Sequence, residues 1–361
     1  MGIELLHFES MLSGKKVLVT GHTGFTGSWA CLWLKFIGAE VVGFSLPPET
    51  QPSLFDELDL AASVLTTFGD IRDYDRFSKA LRELKPELIL HLAAQPLVRR
   101  SYRDPVQTFA VNTLGTAHVL EAARNVDSVR AVLCVTTDKV YRNNEWPWPY
   151  RENDPLGGSD PYSASKAAAE MVIQSYAVSF PWRGAKGPGL ATARGGNVIG
   201  GGDWSEDRLI PDFVRALVEG TALTLRYPGA IRPWQHVIGL VHGYLLLLAG
   251  LISDNPNIFA RAWNFGPQDP RQYSVRDVLE LMSRHWRRPE VRYMEDPTPE
   301  AGTLALDSSL ARNSLGWVPA WNTEQVVAET AVWYREYYNK SATALQLSMA
   351  QIQAWRSALF K

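Results

Sequence analysis

KKVLVTGHTGFTGSW (15–29) decides the fold. Val17, Leu18, Val19 and Thr20 form a short apolar, β-branched run that reaches a turn carrying Gly21, Gly24 and Gly27. FTGSWACLWLKFIG (25–38) then takes up helical spacing, closed by Gly38. A buried strand entering a helix through such a turn brings the unpaired N–H groups of the helix to the turn. Without Cβ atoms in the way, a diphosphate can approach them closely. Gly21, Thr23, Gly24, Phe25 and Gly27 are therefore candidate cofactor-binding residues. A glycine turn kept only for helix–sheet packing is the bland alternative.

Outward from this unit the pattern repeats. EVVGFSL (40–46), LTTFGD (65–70), ELILHLAA (87–94), AVLCVTT (131–137) and GLATARGGNVIG (189–200) read as strands. Helical patterns at about 105–125 and 161–180 fall among them, Pro161 suiting a first helical position. The spacing predicts an α/β, Rossmann-type doubly wound parallel sheet over residues 14–200. After Gly200 the pattern loosens, and residues 201–235 and 267–361 are expected to form a smaller mixed C-terminal substrate domain. Residues 236–266, a helix over 237–252 followed by RAWNFGP (261–267), are expected to return to the sheet. Residues 1–13 read as a loosely held arm, 342–360 as a packing helix, and HWRRPEVRY (285–293) as a solvated basic surface.

Composition removes several function classes. Across 361 residues, 36 Lys+Arg against 38 Asp+Glu leave a net charge of −2, which argues against a nucleic-acid partner. Cys31 and Cys134 sit among apolar residues, with no metal-ligand spacing, and read as buried thiols; no metal is expected. VIGLVHGYLLLLAGLI (237–252) is short for a bilayer span and carries His242, so no membrane partner is expected. The N-terminal residues lack the layout of a signal peptide, and a cytoplasmic location follows.

The candidate chemistry lies between 136 and 166. Tyr162 and Lys166 are four apart on a predicted helix and share a face. A tyrosine ordinarily titrates near pH 10, and a neighbouring ammonium or a cationic nicotinamide ring favours its phenolate. Thr137 can hydrogen-bond a substrate hydroxyl beside it. Asp138 and Lys139 set an acid next to a base at the end of a buried strand, a poor place for a mere solvated turn. Asp70 and Ile71 suit an adenine ring, and Ala93, Ala94 and Gln95 the wall of a cofactor cleft; each has an ordinary loop reading at even odds. Ser45 stands where a ribose-binding carboxylate is expected, with no arginine close by for a 2′-phosphate, so NAD is favoured over NADP. Asn197 and Arg232, followed by Trp234, are candidates for a substrate diphosphate, with Arg194 and Arg208 behind them.

GHTGFTGSW, QPSLF (51–55), LAAQPLVRRSY (92–102), TTDKVY (136–141), DPYSASK (160–166), GGNVIGGGDW (195–204), DRLIPD (207–212), RPWQHV (232–237) and WNFGP (263–267) together carry a resemblance. The chain resembles the extended short-chain dehydrogenases that act on nucleotide sugars, in particular the branch that dehydrates CDP-glucose. One departure lies in HVIGLVHGY, where Gly239 and Leu240 replace an acid and a proline and put the local helix cap in question. The resemblance implies NAD as a resident cofactor and Tyr162 as base for the sugar 4-hydroxyl. It further implies loss of the C6 hydroxyl as water, with Asp138 as acid. Related dTDP-glucose enzymes have a glutamate at the position of Lys139, which here is either the C5 base or an electrostatic stabiliser. The resemblance also implies a homo-oligomer built through the helices at 105–125 and 161–180. A nucleotide-sugar 4-epimerase shares the glycine turn and the Tyr–Lys pair but needs no acid–base couple at C5 and C6. A non-catalytic NAD sensor needs neither.

Overall fold

The computed structural model describes residues 7–180, 189–267, 272–294 and 303–359. Helix α1 (His7–Leu12) precedes strand β1 (Lys16–Thr20), which feeds α2 (Phe25–Phe36) through the glycine turn. Then come β2 (Glu40–Ser45), a short α3 (Leu54–Glu57), β3 (Leu65–Phe68), α4 (Tyr74–Leu84) and β4 (Leu88–His91). The second half brings α5 (Val98–Arg103), α6 (Pro105–Phe109), α7 (Gly115–Arg124), β5 (Ala131–Val135), α8 (Pro161–Ser179) and β6 (Gly189–Gly195). These strands and one later strand make a seven-stranded sheet, every neighbouring pair of which is parallel. Crossover helices shield both faces, so β4 and β6 are buried at every residue. The strand order reverses between β1 and β4, and the ends of such strands open a crevice there.

Beyond β6 lie β7 (Val198–Ile199), α9 (Leu209–Glu219), β8 (Leu223–Leu225), β9 (Gln235–His236) and α10 (Val237–Leu251). β10 (Ala262–Phe265) pairs with β6 at the sheet edge, opposite β3. α11 (Val275–His285), β11 (Val291–Tyr293), α12 (Thr323–Tyr338) and α13 (Ala344–Ala358) follow. Two small parallel pairs, β7 with β9 and β8 with β11, hold the loops that roof the crevice. α10 is buried at every residue, which explains a run apolar all round: it lies inside the molecule, where no polar face is needed.

Several sequence expectations need correction. The N-terminal arm is held: His7–Leu12 is helical, Phe8 and Leu12 are buried, and Glu9 pairs with Arg356 of α13 at 2.7 Å; residues 1–6 lie outside the described residues. Separate apolar positions six residues from the terminus carry too little periodicity to reveal this. The single helix expected at 105–125 is broken by a π turn over Ala110–Leu114. Asn112 in that turn accepts the Gln95 N–H at 2.8 Å and donates to Ser165 at 2.9 Å, so the widened turn ties the crevice wall to α8. The strand expected at 189–200 splits into β6 and β7 because Asn197, at φ 46°, is left-handed. The cap questioned at Gly239 is sound, since the His236 ring accepts the Ile238 N–H at 3.2 Å. A Cβ on Gly239 would stand 2.9 Å from the Trp355 ring, so the glycine makes room for α13. The 285–293 segment is largely solvated, with Arg287, Arg288, Glu290, Arg292 and Tyr293 exposed, and its end forms the strand β11.

Candidate active site

The crevice is one cavity of about 780 Å³ above the carboxyl ends of the strands. Its floor begins at the glycine turn. A Cβ on Gly21, itself left-handed at φ 72°, would lie 2.8 Å from the Ala93 backbone, and one on Gly27 would overlap the Gly21 carbonyl. Gly24 caps α2 without a side-chain hydrogen bond, leaving the first N–H groups of the helix directed at the cavity. Helix, glycines and wall thus fit a dinucleotide diphosphate. Thr23 and Ser45 hydrogen-bond each other at 2.8 Å, a neutral hydroxyl pair at the end of β2. Asp70 also faces the cavity but is clamped by Arg72 at 2.9 and 2.6 Å, and that guanidinium holds its carboxyl below the ordinary range. The expectation of no nearby arginine is therefore corrected: β3 lies beside β2 and carries Arg72 to this end of the cavity. Phe25, Ile71, Ala93, Ala94 and Gln95 all line it. The Gln95 side chain is turned inward, donating to the Leu97 carbonyl and to Thr108.

Helix α8 delivers Tyr162 and Lys166 to the same cavity as Thr137, Asp138 and Lys139. Its start is fixed twice: Asp160 accepts the Ser163 N–H at 2.9 Å, and the Tyr162 N–H donates to Ser101 at 3.1 Å. The Tyr162 hydroxyl lies beside Thr137 in this cavity. Burial pushes this phenol up to about 12, opposed by Thr137 and the charge of Arg208. The lowering expected from the sequence is thus reversed in the chain itself, where desolvation outweighs the charges. Burial brings the Lys166 ammonium down to about 8, although Cys134 and Glu170 act the other way, and it donates to the Val135 carbonyl at 3.1 Å.

Asp138 is fully buried, and burial raises its carboxyl despite Lys139, Thr137 and Arg232. Oδ1 accepts from Thr137 at 2.9 Å, whereas buried Oδ2 has no partner. Gly196 keeps the carboxyl in place, since any Cβ there would overlap it. A carboxyl that binds its proton more tightly folded than unfolded, where it titrates near 3.8, loses stability as pH rises from 3.8 towards its folded value. Asp138→Asn is therefore expected to raise the melting temperature, more at pH 8 than at pH 4, while reducing activity. Destabilisation at pH 8 in thermal melts would contradict this.

Asn197, Arg208, Arg232 and Trp234 also line the cavity, from its other side. Arg208 pairs with Asp203 at 3.0 Å, and the Trp234 indole N–H donates to the Tyr273 carbonyl at 3.0 Å. Arg194, by contrast, is buried beneath the site in an ion pair with Glu170 and is removed from the diphosphate candidates. Arg99 and Arg226, which the sequence reading missed, line the cavity and pair with Asp207 at 3.8 and 3.2 Å. Their ion pairs join residues far apart in the chain, so no local pattern marks them. Among the described residues no cluster of ligating side chains could hold a metal ion, and no helix is long and apolar enough to cross a membrane.

The profile of the family described as GDP-mannose 4,6 dehydratase matches residues 18–330. The chain belongs to that family. Within it, the chain is similar to the CDP-glucose 4,6-dehydratase of Salmonella typhimurium, 42% identical over 97% of this chain and 98% of that one. It is 28% identical to a dTDP-glucose 4,6-dehydratase of Xanthomonas campestris pv. campestris, over 88% and 92% of the two chains. Among solved structures, the dTDP-glucose 4,6-dehydratase DesIV of Streptomyces venezuelae, with NAD bound, superposes with a TM-score of 0.78 at 26% identity, over 90% and 98%. The UDP-glucose 4-epimerase of Thermus thermophilus, also with NAD, reaches 0.76 at 26% identity, over 89% and 99%. The parallel sheet is thus shared by dehydratases and an epimerase, while the family is that of the 4,6-dehydratases.

Proposed function

We propose that this chain dehydrates CDP-D-glucose to CDP-4-dehydro-6-deoxy-D-glucose, an NAD-dependent lyase reaction with no net redox change. The observation that carries the reading is Asp138, a buried carboxyl whose proton affinity is raised by burial, beside Lys139 and in the same cavity as Tyr162. An epimerase has no use for such an acid. Gly21, Gly24 and Gly27 would hold NAD along the glycine turn, where it would supply reversible hydride chemistry, out from C4 and back to C6 of the sugar.

The chain's own residues handle the protons. Tyr162 takes the proton of the 4-hydroxyl, with Thr137 beside it in the same cavity. Lys166 stabilises the phenolate that forms. Once C4 is a ketone, the C5 proton is acidic; Lys139 removes it, or as an ammonium stabilises the enolate. Asp138 gives its proton to the departing C6 hydroxyl, which leaves as water. Asn197, Arg208 and Arg232 hold the diphosphate, and Trp234, bonded to the Tyr273 carbonyl, supports the loop that carries Arg232. The specificity for cytidine draws support from the 42% identity to the Salmonella enzyme.

Purified chain given CDP-glucose and NAD is expected to form the 4-keto-6-deoxy sugar. Appearance of the 4-epimer, or comparable turnover of dTDP-glucose, would overturn the reading. In D₂O, Lys139→Ala is expected to lose deuterium incorporation at C5; undiminished exchange would leave Lys139 only as a stabiliser.

The enzyme works as a homo-oligomer through α6 and α8. Val106 and Phe109 on α6, and Met171 and Val178 on α8, are exposed, Val178 at 81%. Met171 and Val178 are seven residues apart, two turns along one face of a helix that packs on α6. A second copy laying the same two helices across this face buries it. Val178→Asp is expected to yield a monomer by light scattering, and a wild-type monomer at micromolar concentration would refute the arrangement.

A further inference from the structure

The reaction uses the 136–139 turn, Tyr162 and Lys166, but not the fully buried ion pair beneath them. The side chains of Arg194 and Glu170 are 1% and 0% exposed. Arg194 donates Nε–H to Oε1 of Glu170 at 2.9 Å and Nη2–H to Oε2 at 2.8 Å. The Thr136 hydroxyl donates to the same Oε1 at 2.6 Å. From its third nitrogen, Arg194 donates to the Tyr141 hydroxyl at 2.8 Å and the Glu152 carbonyl at 2.9 Å. Tyr141 passes the chain on to Oδ1 of Asn264 in β10 at 2.7 Å.

A buried pair of this kind is a poor device for stability alone, because desolvating both ions offsets their attraction. Its position is more telling. Tyr162, Lys166 and Glu170 succeed one another at four-residue intervals on α8 and so lie along one face. Thr136 immediately precedes Thr137, and Arg194 is the last residue but one of β6, just before Gly195, Gly196 and Asn197. One carboxylate therefore joins the helix, the strand end and the loop that together supply the proton-handling groups.

We propose that Glu170 is a positioning residue: clamped by Arg194 and Thr136, it keeps Lys166 charged and locks the 136–139 turn against α8. His91, Cys134 and Glu170 act on Lys166 by charge, and Tyr162 lies one turn away on the same helix face. His91 of β4 is held neutral by burial, down at about 3, and is tied to Thr20 and Thr116 at 2.7 and 3.2 Å. Cys134 of β5 is held as a thiol by burial, and Tyr162 is a phenol. Glu170 is left as the anion that supports the Lys166 ammonium. The consequence for catalysis rests on the role of Lys166 in the reaction proposed above, whereas the charge coupling does not.

Carbon-13 NMR of side-chain-labelled lysine, with the Lys166 signal assigned through Lys166→Met, follows its titration without substrate. Glu170→Gln is expected to lower the Lys166 midpoint by at least one pH unit, a tenfold loss of proton affinity. The alkaline limb of kcat/KM for CDP-glucose is expected to move with it, a shift that loss of packing alone does not produce. Should Glu170→Gln fail to fold, Glu170→Gln with Arg194→Met removes both buried charges and is expected to shift the midpoint the same way by less. An unmoved Lys166 midpoint in the folded variants would overturn the inference. A shifted midpoint in a chain inert to CDP-glucose would uphold it and sink the proposed reaction instead.

Discussion

Between pH 7 and pH 5 the fold is expected to lose about 7 kcal/mol of stability, through four buried histidines. Burial holds His22 down at about 4, and His91, His236 and His242 at about 3, against an ordinary value of 6.5. In the window from 6.5 down to those values the unfolded chain binds protons that the folded chain refuses. Stability therefore falls as pH drops below 6.5, by roughly 2 kcal/mol per histidine at pH 5. Carboxylates whose affinity is lowered by ion pairs, such as Asp70 and Glu206, begin to matter only near or below 4.5 and lie outside this window. Asp138 acts in the opposite sense and trims the total. The loss is comparable to the whole stability of an ordinary domain.

His242 shows why refusal is so complete. Neither ring nitrogen has a hydrogen-bond partner, and the imidazole stacks on Trp33 at 5.8 Å with Phe8 and Trp355 alongside. An imidazolium there has no acceptor to reach. His242→Leu should remove about a quarter of the pH dependence. Urea unfolding at pH 7 and pH 5 is the measurement, and equal midpoints at the two values would refute the prediction.

Tyr162→Phe is expected to lower kcat by about 10² to 10⁴-fold, the usual contribution of a positioned acid–base group. The fold should survive, because the lost hydroxyl lies at the wall of the cavity and the ring keeps its packing. With the phenol up at about 12, the resting enzyme holds Tyr162 protonated at neutral pH. Before it can accept the proton of the sugar hydroxyl, the phenol must give up its own to solvent, a loss that the Lys166 ammonium and a cationic nicotinamide ring beside it would favour. Thr137→Val is expected to show a smaller loss in the same direction. Steady-state turnover of CDP-glucose, with NAD affinity and melting temperature as controls, decides the matter. A Tyr162→Phe enzyme within tenfold of wild type would assign the proton to another group.

Strong local periodicity made much of this molecule legible before its structure. Short apolar runs between helical stretches can bury both faces only in a parallel sheet. Gly21, Gly24 and Gly27 between β1 and α2 can mean little besides close backbone approach. Tyr162 and Lys166 share a helix face by spacing alone, and every residue assigned to the site lines the one cavity, except Arg194 among its weaker candidates. The same spacing also carried Glu170, four residues further along, but a glutamate on a helix says nothing of its burial until its partner is known.

Chain order determined the strands, the cradle and the identity of the side chains proposed to handle protons, since each depends on residues within a few positions of one another. Tertiary packing decided the rest. It seated α1 on α10 and tied it to α13 through Glu9 and Arg356, opened the π turn at Asn112 and pulled Arg194 under the site to Glu170. It also set the proton affinities, raising Tyr162 and Asp138 and lowering Lys166. Those shifts come from desolvation and from charges delivered by other elements, and neither exists until the sheet, its helices and the roofing loops close around the cavity.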